Sequence, residues 1–182
     1  MNSELSDGQV CLRRFMPADA APLHEAVRES LAEMTPWMRW CERDFSLADS
    51  AEWIHSTDIA WQQDQAYNFA IIELASGRLV GSIWLSRLHR KHCLANVGYW
   101  VRTSAAGRGI ATAAARLLTV FGIERLGLNR LEVLVAVGNR ASERVAEKIE
   151  AHREGVLRQR LWLEGKPRDA VSFSFLAGDL KT

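Results

Sequence analysis

The sequence predicts an α/β domain: one mixed, mostly antiparallel central sheet with a parallel strand pair, flanked by about four helices. Three observations carry this. Strand-like and helix-like patterns alternate along the whole chain. Three successive strand-like runs, Tyr67 to Leu74, Leu79 to Leu88 and Cys93 to Val101, are joined by short loops, and antiparallel neighbours are the simplest arrangement for them. A strand ending at Val101, a helical pattern from Gly109 and the apolar run Asn129 to Val137 form a strand–helix–strand unit, as in a right-handed crossover between parallel strands. At 182 residues, without a repeat, a low-complexity segment or a Pro/Gly-rich linker, residues 1–182 read as one domain.

Taken in order, Gln9 to Phe15 alternates enough for a first strand, which Pro17 ends. Asp19 or the preceding turn can cap a helix through about Leu31, with Ala21, Leu23, Ala26, Val27 and Leu31 as a rough apolar stripe. Thr35 to Cys41 is a loop, and Trp37 and Trp40 in it either cover the core or wall an acceptor pocket. Ser46 or Asp49 can start a second helix that ends before Tyr67. The turn Ala75 to Arg78 suits a hairpin, and His89 to His92 is a basic loop. The helix from Gly109 runs to about Leu126, with Gly127 as its stop. After the strand Asn129 to Val137, Asn139 can cap a helix to about Ile149. His152 to Leu157, Gln159 to Leu163 and Ala170 to Leu176 read as three closing strands, the last two joined at Gly165-Lys166-Pro167.

Composition removes several function classes. Lys+Arg number 23 against 22 Asp+Glu, so no basic excess points to nucleic acid. No apolar run is long enough for a membrane span, and the polar N-terminus shows no signal peptide. Cys11, Cys41 and Cys93 are widely spaced, which suggests reduced thiols and a cytoplasmic protein. His89 and His92 lack a third ligand at metal-binding spacing, so a solvated loop is the reading there.

The chemistry centres on Ala106 to Ala111, A-G-R-G-I-A, between a strand and a helix. Glycines let a backbone approach a ligand, and the first N–H groups of a helix are free and electropositive. A phosphate-binding P-loop needs Lys then Ser or Thr after its last glycine, but Ile110 and Ala111 stand there. A dinucleotide fingerprint wants a third Gly or Ala where Thr112 stands, and it opens a βαβ unit. The turn resembles the coenzyme A turn of the GNAT N-acetyltransferases, Gln/Arg-x-x-Gly-x-Gly/Ala, with Ala106 at its first place. From Asn96 to Arg158 the chain is similar to the RimJ/RimL branch of that superfamily, the ribosomal-protein N-terminal acetyltransferases and their relatives. The matching pieces are V-G-Y-W-V (from Val97), A-G-R-G-I-A-T (from Ala106), E-R-L-G-L-N-R-L-E-V (from Glu124), G-N-R-A-S (from Gly138), A-E-K (from Ala146) and R-E-G-V-L-R (from Arg153).

The resemblance implies a GNAT fold, in which the parallel strand pair is splayed, and acetyl-CoA as cosubstrate. The pantetheine arm would pair with the strand at Tyr99, Trp100 and Val101. Backbone N–H groups of Gly107, Arg108, Gly109, Ile110, Ala111 and Thr112 would hold the diphosphate. Asn139 would contact the arm, and Ser142 would sit near the thioester sulfur as a proton donor. Both also read as a helix cap and a first-turn polar residue. Trp37, Trp40 and Trp84 are candidates for the acceptor pocket. Two departures stand out: Asn96 replaces a glutamate common in relatives, and Glu150-Ala151 replaces Gly-Phe. Glu73 and Glu132 are candidate bases through water, though each reads first as a structural or surface carboxylate. An amide cannot take a proton, so the site favours a weakly basic α-amine, with a pKa of roughly 8, over lysine near 10.4. The expected function is direct acetyl transfer to an α-amine of a protein N-terminus, peptide or small molecule. The alternatives are an acyl-CoA sensor without turnover, and an acetyltransferase for an antibiotic or amino acid. Relatives commonly form homodimers, and no residue pattern here decides that.

Overall fold

A computed structural model describes residues 4–41 and 44–180. Its strands are β1 (Leu5–Ser6), β2 (Val10–Arg14), β3 (Tyr67–Glu73), β4 (Leu79–His89), β5 (Leu94–Val101), β6 (Arg130–Ala136), β7 (His152–Leu163) and β8 (Lys166–Leu176). Its helices are α1 (Ala20–Met34), α2 (Leu47–Gln62), α3 (Ile110–Val120) and α4 (Arg140–Lys148). The strands form one sheet in the order β1-β2-β3-β4-β5-β6-β8-β7. Only β5 and β6 are parallel; every other neighbouring pair is antiparallel.

Side-chain alternation divides the sheet into two faces. Phe69, Ile71, Ile83, Leu85, Val97, Leu131, Val133 and Phe173 join Ile110, Ala114 and Leu118 of α3 and Ala146 of α4 in the larger core. On the other face Ala70, Leu79 and Trp100 meet Leu23, Val27 and Met34 of α1 and Ile54 of α2. The N-terminus of α2 is fixed by a reciprocal capping box. Asp49 N–H donates to Ser46 Oγ at 3.2 Å, and Ser46 N–H donates to Asp49 Oδ2 at 2.7 Å. The helix after Gly109 ends in a widened turn at Phe121–Arg125, where Leu126 N–H donates to the Phe121 carbonyl at 3.3 Å.

The C-terminal strands correct the sequence reading. His152 to Leu157 and Gln159 to Leu163 belong to one strand, β7, and β8 lies between it and β6. Gln159 takes a left-handed φ of 51° where the β7–β8 register shifts, and its N–H is held by Asp169 Oδ1 at 2.8 Å. A bulge bends the strand there without ending it. The hairpin turn is Glu164-Gly165, at φ 50° and 70°, not Gly165-Lys166-Pro167. Two positive φ values match the twist of a two-residue hairpin, and Leu163 pairs directly with Lys166.

The link from β5 to α3 is clamped to α1. Arg102, 3% exposed, donates through Nε to Glu29 at 2.9 Å and through Nη2 to Glu25 at 2.8 Å. Ser104 N–H donates to Glu29 Oε1 at 2.8 Å, and Thr103 N–H to Ser30 Oγ at 3.0 Å. The Arg102 hydrogen bond, against opposing burial, draws the Glu29 pKa down from 4.5 to about 2. Glu154 falls likewise to about 2, held by Arg130 at 2.8 and 2.5 Å and by Ser174 at 2.9 Å. Carboxylates with depressed folded-state pKa values stabilise the fold above their unfolded pKa. That contribution is lost as pH falls through the folded values. Melting temperature should therefore fall steadily from about pH 4.5 towards pH 2. Thermal melts across that range check this, and Glu29→Gln should flatten part of the slope.

Candidate active site

The site forms where β5 and β6 part. Their pairing runs from Leu94↔Arg130 to Val97↔Val133, although β5 continues to Val101 and β6 to Ala136. On its other side β5 stays paired with β4 through Gly81↔Val101. Past Val97, the edge of β5 that faces β6 therefore has no strand partner. Free N–H and C=O groups on such an edge are a template for an extended ligand.

Gly107 and Gly109 lie just beyond the end of β5, at φ 74° and 80°, where a Cβ would strain the backbone. A Cβ on Gly107 would meet nothing within 4 Å, so the turn faces open space. The first ladder bond of α3 runs from Ala113 N–H to the Gly109 carbonyl at 2.9 Å. The N–H groups of Ile110, Ala111 and Thr112 precede it, at the electropositive end of the helix. Gln9 Nε2, just before β2, donates to the Arg108 carbonyl at 2.8 Å. A distant residue thus braces the turn that Ala106 leaves without a long side chain of its own. The Arg108 guanidinium pairs with Glu73, a buried carboxylate that also accepts from Ser76 Oγ at 2.6 Å.

Across the strand gap, two hydroxyls meet. Tyr99 shares the α3/α4 face with Val97, and its hydroxyl reaches α4. It donates to the Ser142 carbonyl at 3.0 Å and lies 2.9 Å from Ser142 Oγ. Burial pushes the Tyr99 pKa up to about 12, against the opposing hydrogen bond of Ser142, so the phenol keeps its proton at neutral pH. Asn139 caps α4: its Oδ1 accepts from Ser142 N–H at 3.1 Å. The Asn139 carbonyl-side oxygen is thereby committed to the cap, which in turn sets where Ser142 stands.

The opposite face is aromatic. Gly98 is needed because Trp84 lies flat over it; a Cβ there would come within 2.3 Å of the indole. Trp40 packs on Trp100 with ring centroids 6.1 Å apart, and Trp37 reaches to 4.0 Å from where a Gly138 Cβ would be. The fold thus gathers Trp37, Trp40 and Trp84 around the parted ends of β5 and β6. Trp100 points into this aromatic face, leaving its backbone as the part available on the strand edge.

Carboxylates near the gap are engaged. Glu73 is tied to Arg108 at the turn, and Glu132 accepts from Arg130 Nε at 2.9 Å. Asn96 Nδ2 donates to the Val97 carbonyl at 3.3 Å, while its Oδ1 is buried without a hydrogen-bond partner among the described residues. His89 and His92 bond to each other, His92 N–H donating to His89 Nδ1 at 3.3 Å. Among the described residues no cluster could hold a metal ion, no helix is long and apolar enough to cross a membrane, and Cys11, Cys41 and Cys93 are unpaired.

Sequence reasoning assigned Tyr99 a backbone role only. The alternation of V-G-Y-W-V was the available signal for its side chain, since it puts Tyr99 on the face that the crossover helix covers. Gln9 and its contact with the turn had no local signal at all.

Comparison with known proteins agrees with this geometry. The profile of the Acetyltransferase (GNAT) domain matches residues 9–152. A protein of Bacillus subtilis (strain 168), named "Putative ribosomal N-acetyltransferase YdaF", is 33% identical over 170 residues, covering 92% of this chain and 91% of that protein. Mycobacterium smegmatis RimJ, solved in complex with CoA-disulfide, superposes with a TM-score of 0.87 at 26% identity, over 95% of this chain and 84% of that one. The ribosomal L7/L12 α-N-protein acetyltransferase RimL, in complex with coenzyme A, shares the fold with a TM-score of 0.89 at 20% identity, over 98% of this chain and all of that one (100%).

Proposed function

This chain belongs to the acetyltransferase (GNAT) family, and on that premise we propose that it moves an acetyl group from acetyl-CoA to an α-amine of a protein or peptide N-terminus. The observation that carries this reading is the meeting of three features at one strand break: an open glycine turn at a helix N-terminus, an unpaired strand edge, and a half-buried hydroxyl pair. Their order suits a ligand with a diphosphate at one end and a thioester on an extended arm.

When bound, acetyl-CoA supplies an activated carbonyl and a thiol leaving group. Backbone N–H groups of Gly107, Arg108, Gly109, Ile110, Ala111 and Thr112 hold the diphosphate. The β5 edge at Tyr99, Trp100 and Val101 aligns the arm and offers fixed N–H groups to developing negative charge, commonly the largest catalytic term. Asn139 fixes the first turn of α4. Ser142 Oγ, 2.9 Å from the Tyr99 hydroxyl, offers a hydrogen bond to the departing sulfur, Tyr99 holds it in place, and the proton that the amine loses on acylation balances the one that makes the thiol. With Asn96 in place of a carboxylate and Glu73 and Glu132 engaged, the acceptor must arrive largely neutral. An α-amine with a pKa of roughly 8 satisfies this, and a lysine near 10.4 does not. The name of the Bacillus subtilis relative, a ribosomal N-acetyltransferase, favours a protein acceptor.

The test combines binding with turnover. Titration calorimetry with acetyl-CoA should give a saturable heat, and free thiol should appear with peptides bearing a free α-amine but not with their N-acetylated forms. Cofactor binding without thiol release over a broad panel of peptides and amines would overturn the reading in favour of a sensor.

The turn makes a separate prediction. Glu73 is a buried negative charge beside an anion site, and it draws Arg108 back towards the sheet. Glu73→Gln should tighten coenzyme A binding by roughly three- to tenfold, since it removes repulsion and releases a cation. Weaker binding measured by calorimetry would contradict this.

A further inference from the structure

Beside the aromatic face lies a cleft of about 470 Å³ that the reaction described above does not use. Three rings wall it: Trp40, Phe45 and Trp53. Trp40 connects it to the strand break, with Phe45 5.9 Å away on one side and Trp100 of β5 6.1 Å away on the other. Asp44, Asp49, Glu52 and Ser56 complete the lining, so every ionisable group among the described residues that line the cleft is acidic. Asp49 is held by the cap of α2, whereas Asp44 and Glu52 are exposed and have no hydrogen bond or ion pair to any described residue. His24, stacked on Phe45 at 6.3 Å, is the one basic side chain among the described residues in ring contact with this wall.

Ring faces carry negative electrostatic potential and attract cations, and carboxylates at the mouth add to that attraction. An apolar or anionic occupant would satisfy one half of this lining and oppose the other. A lysine or arginine side chain suits both, because its aliphatic stem lies against the rings and its charged head meets the carboxylates. The cleft opens on the α1/α2 face, whereas the glycine turn and Ser142 belong to the α3/α4 side. A chain whose first residue enters the strand gap from the aromatic face would pass Trp40 on its way out. The geometry points to a specificity subsite: the cleft of Trp40, Phe45 and Trp53 receives a cationic side chain a few residues downstream of the acceptor's α-amine. This rests on the acetyl-transfer reading, which it deepens by naming the acceptor class as basic N-terminal segments.

Binding can be tested apart from turnover. N-acetylated pentapeptide amides of alanine with a single lysine at position 2, 3, 4 or 5 are titrated against the protein saturated with coenzyme A. Each is matched with a peptide carrying norleucine at the same position. At low salt the best lysine peptide should bind about tenfold tighter than its norleucine match, and the preference should shrink as salt rises. In the double variant Asp44→Asn/Glu52→Gln, which leaves the cap residue Asp49 intact, the preference should collapse to within twofold. Norleucine peptides binding as tightly as lysine peptides at all four positions would overturn the inference, as would a preference that survives in the double variant. Thiol release from the corresponding free-amine peptides is read separately. Turnover without a lysine preference removes only the subsite, and a lysine preference without turnover removes only the acetyl-transfer reading.

Discussion

Ser142→Ala and Tyr99→Phe are each expected to lower kcat by roughly 10- to 100-fold while leaving coenzyme A affinity within about twofold. A positioned proton donor is worth roughly 10²–10⁴ in rate, and a thiolate with a pKa near 8.5 needs less help than an alkoxide, which places the effect at or below the bottom of that range. Neither change removes a turn amide or the Asn139 cap, because it is the Ser142 backbone N–H that donates to Asn139 Oδ1. The two hydroxyls share one hydrogen bond, so the double variant should be little worse than the worse single one. The pH profile adds a second check. With the Tyr99 pKa pushed up to about 12 by burial, loss of its proton should not depress kcat anywhere below about pH 10. Steady-state rates, with calorimetry for the cofactor, decide the matter. Unchanged kcat in both variants would leave Tyr99 and Ser142 as structural residues only.

Arg102→Ala should produce the largest loss of stability, about 2–3 kcal/mol, or a fall of roughly 5–10 °C in melting temperature for a chain of this size. The arginine is 3% exposed and is satisfied by two carboxylates of α1. Truncation removes a buried stem together with its charge-assisted hydrogen bonds. The loss falls short of that for a fully buried pair because Glu25 and Glu29 retain 62% and 29% side-chain exposure and can turn to water. Function should suffer as well. Glu29 also holds the Ser104 N–H, so the segment leading into the glycine turn loses its anchor on α1. Coenzyme A affinity should drop several-fold, and Arg102→Lys should recover little of it, since a single ammonium cannot reproduce the planar fork. A melting temperature within 2 °C of the parent would refute this account.

Much of this molecule is legible locally. Ser46 with Asp49, Asn139 with Ser142, and the glycine turn each involve residues within a few positions of one another, so spacing alone announces them. Strand and helix order follows from periodicity for the same reason. The C-terminal strands were misread because a bulge at Gln159 looks like a break when only the pattern of side chains is available. A strand can absorb an extra residue and continue if its partner supplies a hydrogen bond, and that partner, Asp169, is identified only by the fold.

The family, the glycine turn and the helix cap beside it can be read along the chain alone, because backbone conformation at glycines and caps is set by near neighbours. Which distant side chains meet at the strand break depends on the packing of the whole sheet. Tyr99 meets Ser142 across 43 positions, and Gln9 reaches the Arg108 carbonyl across 99. Such contacts arise from where the sheet places its strands, and that placement minimises the free energy of the whole core at once. No window of the chain is long enough to carry it.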